Sequence, residues 1–226
     1  MIFRRLIATS VALLAAVLAA CTPSQLEMPE PKSPGEISEE VWRHALAAHA
    51  RATEQGLTTS PRLAIIDYSL PSTERRLWIV DVETSQLLMH EYVAHAVNSG
   101  GTFAFAFSNR DGSNQSSLGT FITDKPYLGI RGLSLRLRGL ERGINHNAWA
   151  RGIVFHGTPG VSEARARRSA MGRTYGCPAV PITSIQRLVS LISDGVVVFA
   201  WFPDRTLLTR SEYLDRSIAW AAIAGL

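Results

Sequence analysis

The sequence contains little cysteine and almost no lysine. Cys21 and Cys177 are the two cysteines in 226 residues, and Lys32 and Lys125 are the two lysines among 23 basic side chains. No Cys-x-x-Cys, His-Glu-x-x-His or glycine-rich phosphate motif occurs. The basic residues also form no block of the kind that nucleic-acid binders carry. These absences predict a protein with no metal, no cofactor and no nucleic-acid partner.

The N-terminus lacks a hydrophobic run long enough to span a membrane. Arg4 and Arg5 precede an apolar run, residues 6–20, which is shorter than the ~20 residues of a span and suits a secretory signal. The run stops at LAAC, which resembles the bacterial lipobox and implies lipidation of Cys21. Ordinary signal cleavage and an uncleaved anchor helix are the alternatives. The resulting anchor would lie on the periplasmic side of the cell envelope, and by analogy with enteric lipoproteins Thr22, in place of an aspartate, favours the outer membrane over the inner one.

The chain is predicted to have three parts. Residues 1–20 form the lipoprotein signal peptide, and the polar, Pro-rich residues 21–36 form a flexible or semi-extended tether. Residues 37–226 form a single domain, because about 200 mature residues can bury a full core.

The mature sequence predicts an α+β fold that is mainly β. Ser38 is a suitable N-cap for a first helix, on which His44 and His49 are expected to face solvent. Short apolar or alternating runs then predict seven strands. Their sequences are LAIIDYSL, RLWIVDV, LLMHEYVAHAV, TFAFAF, LGTFIT, LSLRLRG and GIVFHG.

The sequence after Cys177 predicts a helix, a strand and a closing helix. Thr183 and Gln186 match a capping box, ahead of an apolar helical stripe that runs from Ile185 to Ile192. VVVFAWF then predicts a buried strand, and SEYLDRSIAWAAIAGL predicts the last helix.

Cys177 lies in the stretch GRTYGCPAV and has no disulfide partner if Cys21 carries lipid. A free thiol in an oxidising compartment is easier to explain if it performs chemistry. Buried free cysteines are nevertheless common small hydrophobes. Because a thiol with a pKa near ~8.5 is mostly protonated at neutral pH, a reactive Cys177 requires a base within hydrogen-bond reach.

His156 is the best candidate for that base among six histidines. It ends the apolar strand GIVFHG, where Val154 shares its face. Gly157 lets the chain turn, so that a carbonyl can hold one ring N–H and leave the other nitrogen facing the thiol. A structural histidine beside an inert thiol is the alternative.

The neighbours of Cys177 restrict any backbone site for an oxyanion. Pro178 has no N–H, so the donors must come from Cys177, Gly176 or Tyr175. Gly176 has no Cβ, which allows a substrate carbonyl to approach closely. A simple tight turn would explain the glycine and the proline but not the cysteine between them.

These motifs together resemble the L,D-transpeptidase (YkuD-like) family, in the branch described as murein L,D-transpeptidase catalytic-domain proteins. The family pattern is a histidine, fourteen to seventeen residues, and then Ser/Thr-His-Gly-Cys. Here seventeen residues separate His156 from the stretch TYGC, which ends at Cys177. SSLGTF, residues 116–121, resembles the family's Thr-Pro-x-Gly-x-Phe strand. The similarity covers roughly residues 62–202.

The resemblance implies an antiparallel or mixed β-sandwich with a few flanking helices and the thiol in a cleft. Cys177 would be the nucleophile and His156 the base, oriented by the carbonyl of Gly157, with Gly176 and Tyr175 at the oxyanion site. The substrate would be the peptide stem of peptidoglycan. The thiolate would expel the terminal D-alanine, and the thioester would pass to an amine of a neighbouring stem or to water.

Two departures from the family pattern leave alternatives open. Tyr175 stands where the pattern has a second histidine, and Pro178-Ala179 stands where it has a hydrophobic residue and Arg or Asn. An L,D-carboxypeptidase or related peptidoglycan hydrolase is therefore one alternative. A non-catalytic peptidoglycan-binding lipoprotein is the other.

Three further residues are expected at the cleft as substrate contacts: Arg173, Tyr127 and His95. Arg173 lies four residues before the thiol, where a guanidinium suits a stem carboxylate. The preceding arginines, Arg165, Arg167 and Arg168, fit either the same role or a solvated loop. The sequence indicates no protein partner.

Overall fold

The computed structural model describes residues 33–169 and 171–217. These residues fall within one compact unit, Pro31–Leu226. The predictions for the signal peptide, for Cys21 and for most of the tether and of the last helix lie outside the described residues. Ser33 already contacts the domain, since its hydroxyl donates to the carbonyl of Ile37 at 2.7 Å.

The described residues form eight strands and four short-to-medium helices. The strands are β1 Arg62–Asp67, β2 Arg75–Asp81, β3 Gln86–Tyr92, β4 Gly119–Gly129, β5 Gly132–Gly139, β6 Val154–Thr158, β7 Ala179–Pro181 and β8 Val197–Trp201. The helices are α1 Glu39–Glu54, α2 Glu163–Ala166, α3 Ile185–Ile192 and α4 Arg205–Arg210, with a 3₁₀ turn at Val97–Ser99.

The strands form one mixed sheet in the order β3-β2-β1-β8-β4-β5-β6-β7. β1 is parallel to β8 and β6 is parallel to β7, while the other neighbours are antiparallel. The chain just after β3 returns to the opposite edge, where Ala94 bridges Ala179 and donates its N–H to that residue's carbonyl at 2.8 Å. The sheet therefore nearly closes on itself, which confirms the predicted mainly β, mixed sandwich architecture.

The central strands and two helices build the core. All five residues of β8 are buried, as predicted for VVVFAWF, because the strand lies between β1 and β4 in the middle of the sheet. The stripe predicted for α3 is also confirmed, since Ile185, Leu188, Val189 and Ile192 are buried. α1 begins as predicted at Ser38, whose side chain accepts from the N–H of Val41.

TFAFAF is a loop, so its prediction as a strand was wrong. The N–H groups of Phe105 and Ala106 both donate to the carbonyl of Ser99 instead of forming a sheet ladder. Exposure does alternate along the run, but the large residues are the exposed ones: Phe103 and Phe105 are 58% and 72% exposed, whereas Ala104 is buried. The apolar period therefore reflects two exposed aromatic rings and a small buried residue.

Two helix predictions also need correction. His44 does not face solvent: it is fully buried, and its ring lies 4.7 Å from that of Trp201, because the apolar face of α1 is wider than its sequence indicated. The capping box at α3 does not form. Ser184 is the N-cap, and its hydroxyl donates to Glu91 Oε2 at 2.6 Å instead of capping the helix.

No helix within residues 33–169 and 171–217 is long and apolar enough to cross a bilayer.

Candidate active site

The pairing of β6 with β7 brings His156 and Cys177 to neighbouring strands. His156 is in register with Ala179, and Cys177 lies two residues before Ala179. The turn that carries the cysteine is fixed on its other side, where Thr174 bridges Ala96 and donates its N–H to the carbonyl of His95 at 3.1 Å. The site therefore lies at the seam where the sheet nearly closes.

His156 is a neutral imidazole whose orientation is fixed by the backbone. Its Nδ1 lies 3.2 Å from the carbonyl oxygen of Gly157, which can only accept, so Nδ1 carries the hydrogen and Nε2 carries the lone pair. Burial lowers the pKa of His156, the bond to Gly157 partly opposes this, and the charge of Arg131 lowers the pKa further. Nε2 is buried and has no hydrogen-bond partner among the described residues.

The thiol of Cys177 is half-buried and protonated at neutral pH. Burial raises its pKa, while the backbone N–H of Val154 and the charges of Arg131 and Arg151 lower it. The sulfur donates to the carbonyl of Gly152 at 3.6 Å, and it makes no hydrogen bond to His156 in this structure. Cys177 thus lies on the segment that leads into β7, two residues before the register partner of His156, and no hydrogen bond joins the two side chains.

The backbone before Pro178 offers two unoccupied donors. The N–H groups of Tyr175 and Cys177 donate to no residue in the described part of the chain. The N–H of Gly176 is already engaged, since it donates to Thr174 Oγ1 at 3.3 Å, and that hydroxyl in turn donates to the carbonyl of Cys177 at 2.7 Å. Of the two predicted oxyanion donors, Tyr175 is therefore available, and Gly176 is replaced by Cys177.

Glycine is favoured at position 176 by the backbone conformation. Its φ is +138°, and an added Cβ would lie 2.7 Å from Ile153 Cδ1 and 3.5 Å from Arg151 Nη2. The side-chain end of Ile153 can move aside, so the strain of any other residue here comes mainly from the positive φ. The adjacent ring of Tyr175 is 69% exposed.

Arg173 and Tyr127 both lie at exposed positions around the site. The guanidinium of Arg173 donates to the carbonyl of Gly100 at 3.1 Å and lines an open cavity of about 610 Å³. Tyr127 of β4 is in register with Ser134 of β5, which is in register with His156. Side chains in register share a face of the sheet, so the half-exposed Tyr127 ring lies on the face that carries His156.

His95 is a buried neighbour of the site and not a substrate contact in this structure, which corrects its predicted place in the cleft. Its side chain is fully buried, and its Nδ1 accepts from Arg76 Nη2 at 2.8 Å. Burial and the charge of Arg76 lower its pKa to about 4, although the carbonyls of Gly100 and Gly101 act in the opposite direction.

The charge next to His95 is the guanidinium of Arg76, which was not predicted from the sequence as part of the site. Arg76 is fully buried, donates to the carbonyls of Leu70 and Val93, and lies 5.1 Å from the centre of the Tyr68 ring. Burial raises the pKa of Tyr68 to about 12, the charge of Arg76 opposes this rise, and Cys177 adds a smaller contribution in the same direction as burial. The pattern of β2 does not predict that Arg76 is buried, because an arginine at the start of a hydrophobic strand usually lies at the surface.

The described residues contain no group of three metal-ligating side chains. The groups of this chain that lie at the site are a thiol, an imidazole and two backbone amides.

Solved structures similar to this one include several L,D-transpeptidases. The L,D-transpeptidase from Mycobacterium smegmatis is 10% identical with a TM-score of 0.40, over 63% of this chain and 59% of that chain. Bdellovibrio bacteriovorus Bd1075 is 11% identical with a TM-score of 0.41, over 74% and 54%. The helical cell shape determining protein Pgp2 (K307A mutant) from Campylobacter jejuni is 12% identical with a TM-score of 0.42, over 80% and 61%. The chain thus covers less than two thirds of each of these structures.

No curated protein matches the sequence. Residues 33–201, which include Cys177, His156 and all eight strands, match the family described as the L,D-transpeptidase catalytic domain. This chain therefore belongs to the L,D-transpeptidase catalytic domain family.

Proposed function

We propose that this protein is a cysteine acyltransferase that acts on peptidoglycan stem peptides through a thioester on Cys177. The observation that carries the proposal is the state of His156. Its Nδ1–H is held by the carbonyl of Gly157, its Nε2 has no partner in the described structure, and its register partner in β7, Ala179, follows the cysteine by two residues. An oriented, unprotonated imidazole next to a free thiol is the arrangement that nucleophilic cysteine catalysis requires.

The acylation half-reaction follows from these positions. The thiol turns from the carbonyl of Gly152 towards His156, and Nε2 takes its proton as the sulfur attacks the substrate carbonyl carbon. The N–H groups of Tyr175 and Cys177 stabilise the oxyanion that forms. When the tetrahedral intermediate collapses, the C–N bond breaks and His156 returns the proton to the leaving amine. The product is a thioester on Cys177 and a free terminal amino acid.

The second half-reaction releases the acyl group by the same residues. An acceptor amine attacks the thioester carbonyl, His156 removes a proton from the amine, and the C–S bond breaks. The proton then returns from His156 to the sulfur, which restores the starting state. An amine acceptor gives a cross-link and water gives a trimmed stem, so the nature of the acceptor separates a transpeptidase from a carboxypeptidase.

One observation favours a second candidate, a non-catalytic peptidoglycan-binding protein. The sulfur is bonded to the Gly152 carbonyl instead of His156, and burial raises the pKa of the thiol. Both features are those of a protonated, unreactive thiol. An inert relative that had kept the fold would show the same two features, so a chemical test is required.

The test is to incubate the mature protein with disaccharide-tetrapeptide and to measure both intact mass and products. We expect a transient adduct on Cys177, release of the terminal amino acid, and a dimeric muropeptide or a tripeptide. Cys177→Ala is expected to give neither adduct nor product. Arg167→Ala is the matched control, because this arginine contacts Glu163 on the exposed α2, and it is expected to react at the wild-type rate.

The outcomes separate the candidates. An adduct followed by a dimer supports transfer, and an adduct followed by tripeptide alone supports hydrolysis. If the wild-type protein binds peptidoglycan with unchanged affinity after Cys177→Ala and never forms an adduct, the binding function replaces the enzymatic one.

We also propose that Cys21 carries lipid and anchors the protein on the periplasmic side of the envelope. The proposal rests on the short apolar run that ends at this cysteine. Metabolic labelling with a fatty-acid probe is expected to label the wild-type protein and not Cys21→Ser. Equal labelling of both would reject the anchor.

A further inference from the structure

Arg151 lies in the turn before β6, one residue before the carbonyl that contacts the Cys177 sulfur. Its guanidinium makes four hydrogen bonds to one segment, residues 108–117. Nη1 donates to the Ser108 carbonyl and to Ser117 Oγ, both at 2.6 Å, and Nη2 donates to the Gln115 carbonyl at 2.7 Å and to Ser113 Oγ at 3.2 Å. Four bonds from a half-buried side chain fix the position of its charge.

That charge is not neutralised by an acid. Arg151 forms no salt bridge within residues 33–169 and 171–217, and its four partners are neutral oxygens. Asp111 interacts with it only at longer range. A cation held by neutral dipoles keeps its field available to a neighbouring group.

The neighbouring group is the nucleophile's turn. A Cβ at Gly176 would lie 3.5 Å from Arg151 Nη2 and 3.5 Å from the Gln115 carbonyl, so the guanidinium packs directly against the residue before Cys177. The sulfur itself contacts the residue after Arg151. The two residues that follow the cysteine, Pro178 and Ala179, carry no charge.

The other titratable groups around the thiol do not supply a comparable fixed charge. His156 is neutral, Tyr68 is a buried neutral phenol, and the charge of Arg76 lies behind the Tyr68 ring, with His95 as its neighbour. Arg131 also lowers the pKa of the thiol, but it is exposed at the tip of the β4–β5 hairpin, and no hydrogen bond within the described residues holds its guanidinium in place.

We propose that Arg151 is a positioning residue that holds the turn of Cys177 against the 108–117 segment and stabilises the thiolate through its fixed positive charge. A catalytic role for Arg151 depends on the proposed function of Cys177 as the nucleophile. When His156 takes the proton of the thiol, the guanidinium stabilises the negative charge that the sulfur then carries. The same contact connects the nucleophile to Ser113 and Gln115, which line the 610 Å³ cavity beside it.

The test measures the thiol and not turnover, so that its failure is distinct from failure of the proposed function. The full chain is alkylated with iodoacetamide across a pH series, and the tryptic peptide 174–187 reports Cys177 alone. Arg151→Gln is expected to raise the pH midpoint of alkylation by roughly half a unit, because it removes a positive charge that packs against the residue before Cys177. Arg62→Gln is the matched control: it removes another half-buried arginine, bonded to the carbonyls of Ser190 and Leu191, and is expected to leave the midpoint unchanged.

A second pair of variants separates the effect of the Arg151 charge from the effect of its hydrogen bonds. This pair also provides the test if Arg151→Gln does not fold. Ser113→Asp places a carboxylate on Nη2 and neutralises the guanidinium in place, whereas Ser113→Asn has the same shape without the charge. We expect the aspartate to raise the midpoint and the asparagine to leave it near the wild-type value. Equal midpoints for Ser113→Asp and Ser113→Asn, or for Arg151→Gln and Arg62→Gln, would overturn the proposal.

Discussion

Two buried regions of the molecule, the core around α1 and the seam beside β7, contain histidines whose pKa values are both lowered and whose tautomers are opposite. His44 on α1 is fully buried, and its pKa is lowered to about 4 by burial. Its Nδ1 accepts from the backbone N–H of Asp215 at 3.2 Å, so the hydrogen lies on Nε2. His156 at the seam is also buried with a lowered pKa, but its Nδ1 faces the carbonyl of Gly157.

The difference teaches that burial alone does not identify a catalytic histidine. Both imidazoles are neutral at pH 7, and so is His95, whose Nδ1 accepts from Arg76. A base needs its lone pair directed at the reacting atom. Among these three buried histidines, His156 alone presents an unprotonated Nε2, because a backbone acceptor holds its Nδ1–H. The other two use the lone pair on Nδ1 instead: His44 accepts from the N–H of Asp215, and His95 accepts from Arg76.

The largest predicted effect is on acylation by His156→Ala. Loss of the general base is expected to slow acylation of Cys177 by stem peptide about 10²- to 10⁴-fold. Intact-mass kinetics under single-turnover conditions measures this rate. His44→Gln is the control from the other region and is expected to acylate within about twofold of the wild-type rate per folded molecule. A rate for His156→Ala equal to that of the control would remove the distinction between the two histidines.

The next effect is on stability, through His95→Ala. Removing this imidazole leaves Nη2 of the buried Arg76 with one acceptor fewer, so the free energy of unfolding is expected to fall by about 1–3 kcal/mol. Urea denaturation followed by fluorescence measures the change. His49→Ala, which loses one bond to the Ser60 carbonyl at the surface, is expected to cost less. A stable His95→Ala protein that no longer acylates would assign His95 a direct part in the chemistry.

The smallest predicted effect is the pH dependence of stability. A histidine whose folded pKa lies below 6.5 disfavours protonation, so its neutral state contributes fully above pH 6.5 and the contribution is lost as the pH falls towards 4. After a discount for partial contact with solvent, we expect about 0.5 kcal/mol per pH unit from each of His44 and His95 in that window. His44→Phe is expected to flatten the curve between pH 6.5 and 4.5, measured as urea midpoints. An unchanged slope would show that His44 is not buried as a neutral ring.

The sequence predicted the elements that local patterns specify. The run GIVFHG predicted most of β6, although His156 lies in the middle of Val154–Thr158 and not at the end of the strand, and the stripe of α3 follows from helical periodicity. The seventeen-residue spacing between His156 and the TYGC stretch led to the family. These features depend on residues close in the chain, which is why composition and spacing suffice for them.

The sequence did not predict what depends on distant partners. The burial of His44 requires Trp201 and Asp215, far along the chain, and the place of His95 depends on the unexpected burial of Arg76. Arg151 gave no local signal because its four partners lie about forty residues earlier. In TFAFAF the alternation was visible, but which face it buries is decided by contacts outside the run.

The most direct test of the account is the tautomer of each buried histidine, measured by long-range ¹H–¹⁵N correlation spectroscopy on the wild-type protein at pH 7. We predict a protonated Nδ1 and a bare Nε2 for His156, with the reverse for His44 and His95. Alkylation of Cys177 is expected to shift the Nε2 resonance of His156 and to leave His44 unchanged. A protonated Nε2 on His156 at pH 7 would contradict the claim that this nitrogen takes the proton of the Cys177 thiol.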